Sequence, residues 1–231
     1  MNIKKNSSKS IAKIKVTENG PYIVTGCIPL SEQIIGTDDE GFSAEWCTGK
    51  EYPRQESYAL CRCGKSKNKP YCDGSHIKTK FNGKETAGHE SYSKLANKID
   101  GPDLKLMDAP DLCAFARFCD RGESVWSYTR DSDDPEAKKT AIVQARSCPS
   151  GRLVALEKKT NQAHEEVLEK SLVVVEDPQM GCAGPIWVRG GISLRIPAAN
   201  PMRLGTASHS AGVENPGTSH SATAPTPARL P

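Results

Sequence analysis

A chain of 231 residues, 36% hydrophobic and 6% aromatic, can enclose one or two small cores and no large one. Its formal charge of +3, drawn from 31 basic and 28 acidic residues mixed along most of the chain, is too slight to point to nucleic acid. No apolar run approaches bilayer-spanning length and the first ten residues lack the apolar stretch of a secretion signal, so no membrane is expected and the expected location is cytoplasmic.

Residues 1–10, with Lys4, Lys5 and Lys9 among serines, are expected to form a disordered basic tail. The alternation IAKIKV at 11–16 suits a short strand, Asn19-Gly20-Pro21 a turn, and residues 22–30 a second strand. Glu45-Trp46 suits a third, and residues 57–63 a fourth that runs into a cysteine-rich loop. This β-rich part is assigned to residues 11–90. Nine cysteines, an odd number without a secretion signal, argue against a disulfide framework. Cys27 and Cys47 stand outside any ligand spacing and are expected as buried thiols.

The cysteine-rich loop carries the chemistry. Cys61, Cys63, Cys72 and His76 fall within sixteen residues, separated by one, eight and three positions. Thiolates and an imidazole gathered on one loop are ligands for a soft or borderline metal centre. Gly64, Pro70 and Asp73-Gly74 supply the bends. On an extended strand Cys61 and Cys63 would share a side, because side chains there repeat every two residues. Between Cys72 and His76 a turn or a first helical turn is required. The run matches C-x-C-x2-S/T-x3-P-x-C-D-G-S/A/T-H at every defined position. The chain therefore resembles the CDGSH iron–sulfur family, the mitoNEET-like group. The resemblance implies a [2Fe–2S] cluster with Cys61 and Cys63 on one iron, and Cys72 and His76 on the other. A structural zinc site is the alternative, since three cysteines and a histidine are also a zinc set, although zinc usually takes its first cysteine pair two to four residues apart.

Replacing one thiolate by neutral imidazole raises a cluster's potential. It also adds a ligand that a proton can displace in mild acid. Arg62, Lys65, Lys67 and Lys69 are expected to form a positive rim that steers an acidic redox partner.

Gly101-Pro102 reads as a linker to a second module, assigned to residues 91–182. Cys113, Ala116 and Cys119 fall at three-residue intervals, and Cys148-Pro149 follows at a distance. Between them, Asp134-Pro135-Glu136 reads as an N-cap with proline in the first helical position, and a helical pattern runs to Ala145. Residues 152–156 read as a strand. The module resembles a divergent [4Fe–4S] mono-cluster ferredoxin-like domain, whose pattern is C-x2-C-x2-C with a remote C-P. The middle place is Ala116, which cannot bind iron. Cys113, Cys119 and Cys148 would suffice for a [3Fe–4S] cluster, or a [4Fe–4S] cluster with an outside ligand, and Cys182 is a candidate fourth ligand. The expected fold class is mostly β with a small α+β part: a β-rich CDGSH module, a ferredoxin-like module and disordered tails.

Residues 20–30, GPYIVTGCIPL, recur in modified form at 184–194, GPIWVRGGISL. A second CDGSH-type repeat thus begins within residues 183–200. No second ligand loop follows; residues 201–231 are rich in Ser, Thr, Ala and Pro and are expected to be disordered. Codon degeneracy offers a reason. Displaced one nucleotide toward the 5′ end, the codons of residues 202–226 can spell Tyr-Glu-Ile-Arg-Asn-Arg-Val-Thr-Leu-Cys-Arg-Cys-Gly-Glu-Ser-Arg-Asn-Lys-Pro-Phe-Cys-Asp-Gly-Ser-His. That is a complete second loop at the spacing of Cys61 to His76. A frameshift in the gene or its sequencing, just upstream of Met202, accounts for it.

No nucleophile–histidine–acid set, phosphate-cradling glycine loop or paired catalytic carboxylates stands out, and His89 and His164 are isolated, so no enzyme is expected. The leading expectation is an iron–sulfur protein in electron or cluster transfer. Its partner would be a redox protein or an apo iron–sulfur acceptor, with homodimerisation through the CDGSH module as a further expectation. The alternatives are a redox or iron sensor, and a zinc-stapled interaction module.

Overall fold

The computed structural model describes residues 11–84, 86–88 and 90–196. The expectations for the tail at 1–10, for His89, and for residues from 197 onward with their second reading frame lie outside them. In chain order the first elements are β1 (Lys13–Val16), β2 (Tyr22–Thr25), β3 (Leu30–Thr37), β4 (Ser43–Glu51), β5 (Ser57–Leu60), α1 (Ser75–Lys78) and α2 (Tyr92–Leu95). There follow β6 (Asn97–Asp100), β7 (Leu104–Asp108), α3 (Ser124–Arg130), α4 (Pro135–Arg146), β8 (Leu153–Glu157), β9 (Ser171–Asp177), β10 (Cys182–Arg189) and β11 (Ser193–Arg195). The fold is strand-rich with few helices, the class expected.

The described residues divide into two compact units. The first holds those of 11–29, 52–86 and 192–196. It is a four-stranded sheet in the order β11-β1-β2-β5, antiparallel except for the parallel pair β1·β11. Every second residue turns inward: Ile14 and Val16, Tyr22 and Val24, Tyr58 and Leu60 are buried. Each side chain so removed from water contributes about 1.5–3 kcal/mol.

The second unit holds the described residues of 30–51 and 87–191. One of its sheets runs β10-β9-β3-β4, with β3 and β9 parallel. The other runs β6-β7-β8 and is covered by α3 and α4 around Leu104, Leu106, Val125, Ala141, Ala145, Leu153 and Ala155. The start of α4 is as read from the sequence: Pro135 occupies the first turn, and the Asp134 carboxylate accepts the Glu136 N–H at 3.1 Å. Ala137, Ala141 and Ala145, four apart, form the buried stripe.

Several expectations need correction. Residues 30–51, expected within the first module, group with 87–191, where β3 is held along β9 from Leu30↔Leu172 to Ile34↔Glu176. The run 22–30 is not one strand. Gly26 and Cys27 both take positive φ, 99° and 55°, and redirect the chain. Cys27 is consequently exposed rather than buried, and Cys47 is only partly covered. Gly101-Pro102 is no linker: the Gly101 N–H donates to the Leu104 carbonyl at 2.9 Å, closing the hairpin between β6 and β7.

The repeat is visible in the backbone. Gly190 and Gly191, counterparts of Gly26 and Cys27, also take positive φ, 73° and 63°, and each pair precedes a buried isoleucine, Ile28 or Ile192. The strand after each turn leaves its own hairpin. Thus β3 pairs with β9 (Leu30↔Leu172) and β11 with β1 (Ile14↔Leu194), in matching registers.

Candidate metal centres

The first centre begins where β5 ends. Leu60 is the last strand residue, so Cys61 and Cys63 lie in the bend that follows rather than on the strand expected for 57–63. Their sulfurs still share one side, 3.8 Å apart. The chain returns antiparallel to this exit: Leu60 bridges Tyr71, the Cys61 N–H donates to the Pro70 carbonyl at 2.8 Å, and the Cys72 N–H donates to the Ala59 carbonyl at 2.9 Å. Cys72 is thereby fixed beside Cys61 by backbone alone.

Gly74, with φ 86°, turns the chain into the single helical turn α1, which carries His76 back to Cys72. Nδ1 of His76 stands 3.3 Å from Sγ of Cys72. The helical turn required by the three-residue spacing is therefore present.

The loop between the ligands is tied by two side chains. The buried Ser66 donates its hydroxyl to the Tyr71 carbonyl at 2.6 Å and accepts the Asn68 N–H at 3.0 Å. Asp73 accepts the Lys67 N–H at 2.8 Å on one oxygen and the Ser75 N–H at 2.9 Å on the other. These donors, led by the Lys67 N–H, hold its carboxyl well below the usual carboxylate range. Burial, followed by the adjacent Cys61, pushes the Cys63 thiol up. A metal ion would take the place of that proton.

Lys65, Lys67 and Lys69 are exposed, as a rim requires. Arg62 is not part of it. Its guanidinium donates to the Thr17 carbonyl at 3.1 Å and lies between the Tyr22 and Phe81 rings, 5.5 and 5.7 Å from their centroids.

Among the described residues no three Cys, His, Asp or Glu side chains converge on a single metal ion. The four donors stand instead as two pairs, Cys61 with Cys63 and Cys72 with His76.

The second centre lies in the other unit. Cys113 follows a short 3-10 turn (Pro110–Leu112) and Cys119 lies within another (Phe118–Asp120), while Cys148 follows the C-terminus of α4. The three cysteines line one small pocket of about 20 Å³, partly open to solvent, with Ala114, Phe115, Ala116, Arg117, Phe118, Pro149, Arg152 and Leu153. Phe115 and Arg117 both take positive φ, 56° and 62°, and Arg117 clamps the loop by a forked ion pair with the buried Asp177 at 2.6 and 3.1 Å. Burial, reinforced by Asp120 and Cys148, pushes the Cys119 thiol up to about 12. As a free thiol it would be inert; iron would displace its proton.

Ala116, in the middle ligand place, packs with Phe118, Val173, Val175 and Trp187. Cys182 is not brought to this pocket: it is exposed at the start of β10 and lines a separate cleft with Glu176, Asp177 and Pro178. Reading the sequence missed Arg152, which was read only as the start of a strand. Its guanidinium reaches back to the pocket from the β8 edge, and no ligand spacing signals that. His164 is engaged with Glu157, Nε2 to Oε2 at 3.2 Å.

Comparison with known families matches these regions. Residues 19–77 match the model of the iron-binding zinc finger of CDGSH type, and residues 99–158 match the divergent 4Fe-4S mono-cluster domain. No curated protein matches the chain. No helix among the described residues is long and apolar enough to cross a membrane.

Proposed function

We propose, from the premise that this chain is an iron–sulfur protein joining a CDGSH-type iron-binding domain to a divergent 4Fe-4S mono-cluster domain, that it holds two unlike clusters and passes single electrons, or the [2Fe–2S] cluster itself, to another protein. Cys61, Cys63, Cys72 and His76 would hold the [2Fe–2S] cluster. Cys113, Cys119 and Cys148 would hold a [3Fe–4S] cluster, or a [4Fe–4S] cluster with one iron ligated from outside the protein. The clusters supply the electron-accepting orbitals; the chain supplies donors, rigidity and charge.

The observation that carries this reading is the pairing of donors at the first centre. Structural zinc usually takes a cysteine pair two to four residues apart, whereas one residue separates Cys61 from Cys63, whose sulfurs stand 3.8 Å apart, and Cys72 Sγ and His76 Nδ1 form a second close pair at 3.3 Å. The loop is braced by Ser66 and Asp73, which limits rearrangement on electron transfer. The rim of Lys65, Lys67 and Lys69 favours an acidic redox protein or apo acceptor. Carrying electrons or a cluster requires no catalytic constellation beside either centre.

The test is iron and sulfide content with absorption and EPR spectra of purified protein across pH, in the parent and in His76→Cys. The expected result is coloured protein with acid-labile sulfide, a paramagnetic signal on one-electron reduction, and reversible re-oxidation without iron loss. The parent should bleach in mild acid and His76→Cys only at lower pH, because imidazole yields to a proton where an iron-bound thiolate does not. Colourless, zinc-loaded protein would establish the zinc module instead. Iron loss at every reduction would favour sensing over relay.

A further inference from the structure

We propose that Arg152, locked in place by Asp108 and Trp126, is a positioning residue that sets the reduction potential of the three-cysteine centre. The proposal rests on the cluster reading of that centre given above.

Arg152 lines the same pocket as Cys113, Cys119 and Cys148. Its guanidinium grips Asp108 with two bonds, Nε to Oδ1 at 2.6 Å and Nη2 to Oδ2 at 3.0 Å. Side-chain exposures of 16% and 8% take this pair largely out of water. Trp126 completes the lock: its Nε1–H donates to the same Asp108 Oδ2 at 2.9 Å, and its ring lies 5.4 Å from the guanidinium carbon. The backbone is held as well, since the Arg152 carbonyl accepts the Ala109 N–H at 3.0 Å and the Tyr92 hydroxyl lies 2.9 Å from it.

Guanidinium carries five N–H donors, and Asp108 takes two. Its other donors lie in the pocket that Cys113 lines, close enough to the Cys113 side chain to interact with it. A buried ion pair adds little stability over apolar residues of the same size. Stability alone therefore does not account for a two-bond, ring-backed pair whose free donors meet a candidate ligand. A fixed cation and an N–H beside a ligand sulfur favour the cluster state that carries the extra electron. Hydrogen bonds to sulfur and net charge are the levers by which a protein sets such potentials. Asp108 opposes Arg152 while holding it, so the two should act with opposite signs.

The experiment is an EPR-monitored redox titration of anaerobically reconstituted full chain, with iron and sulfide counted in each variant. Arg152→Gln is expected to shift the midpoint of the second centre downward, and Asp108→Asn to shift it upward. The midpoint of the Cys61–His76 centre should stay unchanged in both as an internal control. Arg152→Lys, which keeps the charge but loses the fork, is expected to shift it less than Arg152→Gln, and serves if the latter does not fold. Equal-signed shifts, or none with the second cluster intact, would overturn the role of Arg152. A parent protein without iron at Cys113, Cys119 and Cys148 would instead overturn the cluster reading, and this inference with it.

Discussion

Asp73 is the residue that closes the ligand loop, and its ionisation bears on which group governs acid stability. Its folded-state pKa is depressed by the Lys67 and Ser75 N–H groups. The stabilisation it gives is therefore present above its unfolded value, about 3.9, and is lost only as pH falls through the lower folded value. Asp73 remains ionised, and the loop remains braced, throughout mild acid. On the proposed ligation, loss of iron in that range would therefore not be due to protonation of Asp73. Asn can accept only one of the two backbone bonds that Asp73 now accepts. Asp73→Asn is thus expected to speed iron release to a chelator at neutral pH while leaving the midpoint pH of acid bleaching where it was. A downward-shifted bleaching midpoint in this variant would show that Asp73 and His76 do not divide the work in this way.

At the scale of elements, the turn at Gly190-Gly191 frees β11 from the β9–β10 hairpin, as Gly26-Cys27 frees β3 from the β1–β2 hairpin. The two glycines differ in surroundings. A Cβ on Gly190 would lie 2.5 Å from the Lys170 backbone nitrogen, whereas one on Gly191 would meet nothing within 4 Å. Gly191→Ala should carry only the left-handed penalty of about 1–2 kcal/mol, and Gly190→Ala that penalty plus overpacking, on the order of 3 kcal/mol in all. Urea midpoints at unchanged slope would measure both. Sequence reading brought Cys61, Cys63, Cys72 and His76 onto one loop, as the structure does, because they are near in sequence and the turn residues between them are local. It found the α4 cap for the same reason. It assigned residues 30–51 to the first module because the parallel pairing of Leu30 with Leu172 is a long-range event that no local pattern announces. Residues 22–30 read as one strand because every residue around Gly26-Cys27 is apolar or β-branched, and only the backbone shows the break. The three-cysteine pocket was legible in its thiols, but Arg152 was not, since its place beside Cys113 depends on Asp108 and Trp126 from two other elements.

At the scale of the whole molecule, the repeat joins the fold to the gene. In the first sheet the outer edge of β2 is covered by β5, the strand that runs into Cys61. The repeat makes β10 the counterpart of β2, and among the described residues no strand covers the outer edge of β10. In the displaced reading frame of residues 202–226, Val-Thr-Leu-Cys-Arg-Cys stands where the first repeat has Tyr58-Ala-Leu60-Cys61-Arg-Cys63. Its Val and Leu fall at the places of the buried Tyr58 and Leu60, so such a strand would present the correct apolar face and the unpaired backbone groups that β10 needs. The nucleotide sequence decides the matter: the displaced frame requires C as the third base of Thr206 and T as the third base of Ser210 and of Gly212. With those bases present, translation in that frame is expected to yield a protein with two His-ligated [2Fe–2S] clusters per chain in place of one, and an unfolding midpoint raised by pairing along β10. Any other base at Ser210 or Gly212 removes a cysteine from the second loop and with it the prediction.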